Sequence, residues 1–164
     1  MSKNAISFQI ILLAVMISPG HAQSPDETRL ETIRISADEA FEDIQPGTLY
    51  LEGNFLMQSH EWKLESRRAT VYGQPDRPDE VYLEGSPARF LITRTDADRQ
   101  YTVEAEAMEI KYLRSPGTLE LTGNALLKLD NEVINSNVIK YDINSKHYWA
   151  GGTDGVMIEV PPVD

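Results

Sequence analysis

The sequence predicts an all-β fold, a meander of short strands and tight turns, and three observations predict it. The phrase Gln45-Pro-Gly-Thr-Leu-Tyr-Leu-Glu-Gly-Asn54 returns 70 residues later as Ser115-Pro-Gly-Thr-Leu-Glu-Leu-Thr-Gly-Asn124. Turn-forming residues recur about every 8–15 positions, between runs in which apolar and polar residues alternate. Beyond the first 22 residues, no stretch carries the apolar period of a helix.

Each copy of the phrase reads as a turn feeding a strand. Pro-Gly suits the centre of a type II turn, because Pro presets φ and Gly accepts φ > 0. Leu49 and Leu51 then share one face, with Thr48, Tyr50 and Glu52 on the other. Gly53 and Gly123 interrupt both copies at the same point, which predicts a bulge or a close backbone approach. Partial echoes stand at Tyr82-Leu-Glu-Gly-Ser86 and Tyr148-Trp-Ala-Gly-Gly152. A second phrase, aliphatic-x-small-x-x-apolar, begins at Ile35, Leu64, Val103 and Ile134. A strand–turn–strand unit therefore repeats roughly every 30–40 residues, a spacing typical of repeat architectures.

Taken in order, Gln23 to Glu31 is a polar lead-in, and Thr32 to Ala37 alternates with Ile33 and Ile35 on one face. A turn at Asp43–Gly47 precedes the strand Thr48–Gln58, where Leu49, Leu51, Phe55 and Met57 share a parity. Ser59-His-Glu61 is a hairpin tip, and Trp62 to Tyr72 returns. Gly73 to Asp79 is dense in turn formers and is expected to lie outside any central strand, with Arg77 a neutral surface residue. Glu80 to Thr95 is strand again, with a break expected at Pro87; Asp96–Arg99 is a polar tip, and Tyr101 to Tyr112 returns. Leu119, Leu121, Leu127 and Leu129 line the strand after the second Pro-Gly turn, and Ile134 to Tyr141 returns. Two short strands, Tyr148–Gly151 and Val156–Val160, close the series, and Pro161 to Asp164 is a short tail. In the second phrase the apolar parity slips by one, between Ser66 and Ala69, Ala105 and Met108, and Ser136 and Ile139. A one-residue slip reverses faces, so a bulge is expected there that keeps both halves, Met108 included, directed inward.

The 164 residues suffice for one domain, and 41% hydrophobic with 25% charged residues is ordinary for a soluble fold. No cysteine is present, so neither disulfides nor thiol chemistry enter. Lys3, the apolar run Ile6–Ile17 and the small residue Ala22 have the layout of a secretory signal peptide, with cleavage expected after Ala22. The rival is an uncleaved anchor, although the run is short for a span of ~20 residues. Losing residues 1–22, which carry only Lys3, takes the net charge from −11 to −12. Such a chain is poorly suited to nucleic acid or to an anionic membrane surface.

One apolar face must be covered. Either the sheet folds on itself into plain core, or the folded sheet leaves a groove for an apolar ligand; composition does not choose between them. Here the motifs speak. Ile33-Arg-Ile-Ser-Ala-Asp-Glu-Ala40, Tyr50-Leu-Glu-Gly-Asn54, Gly85-Ser-Pro-Ala-Arg-Phe90 and Leu121-Thr-Gly-Asn-Ala125, in this order, resemble the LptA/OstA-like family of periplasmic lipopolysaccharide-transport proteins. The resemblance covers residues 32–151. It implies a single antiparallel sheet folded into a V-shaped open jellyroll with an apolar interior groove. It further implies a periplasmic protein that binds lipopolysaccharide by its lipid A acyl chains. Copies would associate head to tail and join OstA-like domains of inner-membrane and outer-membrane transport proteins. By the family motifs Ile33, Ile35, Phe90 and Tyr112 become expected groove positions; parity adds Leu49, Leu51, Phe55, Leu64, Leu121 and Leu127. Burying a methylene is worth ~0.8 kcal/mol, so part of one acyl chain supplies several kcal/mol. No phosphate-binding glycine loop is present, so an external motor would drive transport.

Catalytic chemistry finds no footing. His21, His60 and His147 lack ligand spacing, so no metal and no cofactor are expected. Glu104, Glu106 and Glu109 read as a solvated outer face. Arg67-Arg68 could meet a lipid phosphate at a rim, with alternation leaving only one of the two outside. The expectation is a non-enzymatic carrier. The alternatives are an LptC-like adaptor of the same fold anchored in the inner membrane, and a periplasmic interaction module with a dry interior.

Overall fold

A computed structural model describes residues 32–44, 46–96 and 99–161. The expected signal segment and lead-in, residues 1–31, lie outside them. The chain forms β1 (Arg34–Ser36), β2 (Glu39–Glu42), β3 (Thr48–Gln58), β4 (Trp62–Gln74), β5 (Arg77–Asp96), β6 (Arg99–Leu113), β7 (Thr118–Leu129), β8 (Glu132–Asp142) and β9 (His147–Glu159). All pair antiparallel in one sheet, in the order β1-β3-β4-β5-β6-β7-β8-β9, with β2 beside β3. The predicted class is observed: one open, all-strand antiparallel sheet.

A crease crosses this sheet. Every strand pair from β3–β4 to β8–β9 slips register at the same level, successively near Phe55, Arg68, Ala88, Glu109, Ala125 and Val138. In β3 and β7 the irregularity holds the pair Gly-Asn, with φ +71° and +48° at Gly53 and Asn54, +80° and +50° at Gly123 and Asn124. Gly and Asn are the residues that accept this left-handed backbone cheaply. In β3 the two residues Gly53 and Asn54 stand opposite the single Arg67 of β4, and Leu49, Leu51, Phe55 and Met57 keep one parity and all face inward. Elsewhere the slip changes parity, as the second phrase predicts: Leu64 and Ala69 are both buried, as are Ala107 and Ile110. Both halves of each strand thus turn their apolar side toward the inside of the fold. Side chains fix the crease at both sheet edges. Asn54 Nδ2 donates to Asp38 Oδ2 at 2.9 Å, and Ser136 Oγ donates to the carbonyl of Gly151 at 2.8 Å.

Several expectations change. Gly73–Asp79 is not a loop: strands β4 and β5 run on to Gln74 and from Arg77, leaving a two-residue turn at Pro75–Asp76. Pro78 is tolerated because the β4–β5 register slips beside it, between Tyr72 and Gly73. Pro87 does not break the strand; it sits in the β5 bulge, where no ladder donor is required. The two closing strands are one, β9, bent at the crease. Met108 is half exposed, because the β6 slip directs Ala107 and Ile110 inward instead.

The outer face carries cross-strand ion pairs: Arg68–Glu84 at 3.0 Å, Arg89–Glu106 at 2.9 Å and Lys128–Glu104 at 3.2 Å. Tyr82 lies near Glu109, and its phenol is pushed up to about 12, first by burial and then by that carboxylate. The glutamates of β6 therefore lie on the solvated face.

The apolar interior and its mouth

Folding at the crease brings the two ends of the sheet together. One lip carries the turns after β4, β6 and β8; the other carries the tips after β3, β5 and β7. Between them lies the interior, a continuous apolar cluster from Leu51 and Phe55 to Ile134 and Ile139. The aromatic rings of Phe90 and Tyr112 meet inside, 5.6 Å apart, although they stand on opposite sides of the crease. Burial raises the Tyr112 phenol, while Arg94 and Arg114 act in the opposite direction.

The interior is not uniformly filled. Toward β7 and β8 the core itself is sealed: Leu121, Leu127, Ile134 and Ile139 are fully buried, beneath a shallower and more polar cleft bordered by Tyr101, Glu132, Tyr141, Lys146 and Tyr148. There the lips are joined by Tyr148 Oη, which donates to Glu132 at 3.0 Å, and by Lys146, whose ammonium lies 4.2 Å from the Tyr101 ring centroid. Toward β4 and β5 it opens into a cavity of about 190 Å³. Its walls are Ile33, Met57, Trp62, Leu64, Val81, Phe90, Ile92, Tyr112, Ile143 and Pro78; its rim is Asp76, Arg77, Arg94 and Arg114. An apolar cavity of ~150 Å³ holds a benzene-sized guest, so this one has room for a short stretch of hydrocarbon.

Of the positions expected to face a groove, Ile33, Leu64, Phe90 and Tyr112 line this cavity. Leu51, Phe55, Leu121 and Leu127 are buried in the packed interior, and Ile35 and Leu49 are partly buried against it. Sequence reasoning passed over the rim. Arg94 continues the inward row Phe90, Ile92, and Arg114 continues Ile110, Tyr112; extending the alternation by one step would have found both. Arg77, read as a neutral turn residue, belongs to the rim as well. Arg67 and Arg68 do not: they stand at the crease, where Arg68 pairs with Glu84.

The fold and this interior define an open β-jellyroll whose core doubles as an apolar cleft. A family model described as LptA/(LptD N-terminal domain) LPS transport protein matches residues 34–147, and the chain belongs to that family. Among solved structures, the chain is similar to LptH, described as the LptA homologous periplasmic component of the conserved lipopolysaccharide transport device from Pseudomonas aeruginosa. The TM-score is 0.69 at 20% identity, over 80% of this chain and 96% of that one. At that identity the likeness concerns the fold. Among curated protein sequences, none matches the chain.

Proposed function

We propose that this chain is a periplasmic carrier of lipopolysaccharide that forms part of the bridge between the inner and outer membranes, with acyl chains held in the apolar interior. The observation that carries this reading is the cavity beside Phe90 and Tyr112, apolar inside and open at the mouth. Many similar Leu, Ile, Val and Phe contacts would let a chain pass onward without one deep trap. The role is binding and transfer, without covalent chemistry. Export to the periplasm rests on the Lys3–Ala22 layout, supported by the periplasmic description of LptH.

The sheet edges support head-to-tail association with further copies and with OstA-like domains of membrane partners. Ile158 pairs with buried Ile134 and so faces inward, yet it is half exposed because β9 has no neighbour beyond it among the described residues. At the opposite edge Ile35, paired with buried Met57, is covered only in part. The apolar interior thus reaches both open edges, and strand addition would continue it into the next molecule.

A photo-crosslinking residue at Phe90 tests the carrier reading. It should label lipopolysaccharide, whereas the same residue at Thr122, exposed on the outer face, should not. Equal labelling at both positions overturns groove binding. Light scattering over a concentration series tests assembly, and a chain that stays monomeric throughout overturns self-association.

A further inference from the structure

We propose that Arg77, Arg94 and Arg114 form an anion site at the mouth of the cavity, which takes the negatively charged headgroup of the amphiphile whose chain lies inside. The inference rests on the groove reading above and adds to it a headgroup and a location.

Three observations carry it. The first is composition. Of the four charged residues around the cavity, three are arginines, in a chain of net charge −11. The second is placement. Arg94 arrives from the tip end of β5, while Arg77 and Arg114 arrive from the opposite lip, so the cluster exists only because the sheet folds at its crease. Each of Arg94 and Arg114 stands where an inward apolar row meets water. That is where a headgroup would stand if its chain lay among Phe90, Ile92 and Tyr112.

The third is availability. Most other basic side chains of the strands are engaged in cross-strand pairs on the outer face, such as Lys111–Glu80 and Lys140–Glu120, both at 3.0 Å. At the mouth, Arg114 pairs with Asp79 and Arg94 reaches Glu61 at a loose 3.6 Å. Arg77 has no carboxylate partner among the described residues. Three acids also stand at the mouth, Asp76 on the rim and Asp79 and Glu61 in these pairs, so the donors left for a ligand are Arg77 and the open sides of Arg94 and Arg114. Guanidinium groups keep their charge and present forked donors suited to phosphate or carboxylate oxygens. A free inorganic anion could use the same donors, but only a headgroup gains from the apolar cavity directly beneath them.

Calorimetric titration below the micellar range tests this, with dodecyl phosphate, uncharged dodecyl maltoside and inorganic phosphate as probes. The full chain should prefer dodecyl phosphate about tenfold, the scale of one hydrogen bond to a charged group. Inorganic phosphate should neither bind nor compete at comparable concentration. The double substitution Arg77→Gln with Arg94→Gln should abolish the preference, lowering dodecyl phosphate affinity to that of dodecyl maltoside. Both side chains reach solvent, so circular dichroism should show an intact sheet. Equal affinity of the unaltered chain for both amphiphiles, or a preference that survives the double substitution, overturns the anion site while leaving the groove standing. Competition by inorganic phosphate overturns its assignment to a lipid headgroup. Failure of both amphiphiles to bind overturns the groove reading, and this one with it.

Discussion

The interior near β7 and β8 and the interior near β4 and β5 are both apolar, inside the same folded sheet, and end differently. In the first, Leu121, Leu127, Ile134 and Ile139 fill the space and the lips are joined above them. In the second, larger rings stand around a cavity of about 190 Å³ and the rim is cationic. The difference lies less in hydrophobicity than in shape and in what stands at the ends of the strands. Small branched side chains interdigitate to crystal-like density. Trp62, Phe90 and Tyr112 span the gap without filling it. The two behaviours divide the labour: a packed part holds the folded sheet together, and a loose part leaves space beside it.

Removing the same volume from each part should have the largest and most unequal effect. Leu127→Ala in the sealed part should cost about 2–5 kcal/mol, because a buried void cannot collapse. Ile33→Ala at the cavity should cost under ~1.5 kcal/mol, since that side chain is only partly buried and its neighbours already face empty space. Urea unfolding of the two variants measures both. Equal losses would mean that the two parts are one core.

This contrast marks how far the sequence could be read. The strand order, the crease and, apart from Met108, the inward parity were legible, because Gly-Asn at 53–54 and 123–124 and the slipped second phrase leave local signatures. β2 left none, since all four of its residues are exposed and its pairing with β3 depends on tertiary docking. The cavity was not legible either. Parity shows that Leu121 and Phe90 face inward, but whether a side chain meets another atom or a void depends on residues contributed by distant strands. The rim was legible in principle for Arg94 and Arg114. Arg77 was not, because the hairpin that seats it looked like a loop.

A smaller effect should appear at high pH. Tyr141 sits at the sealed part, paired with Leu119, and its phenol is pushed up to about 12, chiefly by burial. The folded chain then holds this proton where the unfolded chain, near 10, releases it. Stability from this group is therefore fully present below pH 10 and is lost as pH rises toward 12. Its share is at most about 2.7 kcal/mol, two pKa units at 1.36 kcal/mol each. Tyr141→Phe should flatten the decline in melting temperature between pH 10 and 12. Tyr82, raised to about 12 on the outer face, should leave part of the slope in place. An unchanged slope would show that Tyr141 is solvated in the folded state.

The smallest effect concerns the joint that closes the sealed part. Tyr148 stands in β9 on one lip, Glu132 begins β8 on the other, and the bond between them spans the mouth at 3.0 Å. Tyr148→Phe removes the hydroxyl while keeping the ring against Tyr141. The bond lies near solvent, so its loss should cost under about 1 kcal/mol and move the melting temperature by only a few degrees. Its larger consequence should be local. With the joint cut, Lys146 over Tyr101 still ties the lips there, but the ends around Glu132 and His147 should open more often. Hydrogen exchange should therefore quicken at those ends and stay unchanged along the β4–β5 ladder beneath Phe90. If exchange instead quickens along β4 and β5, the joint governs the whole mouth, and the cavity owes its form to closure at the far end rather than to its own side chains.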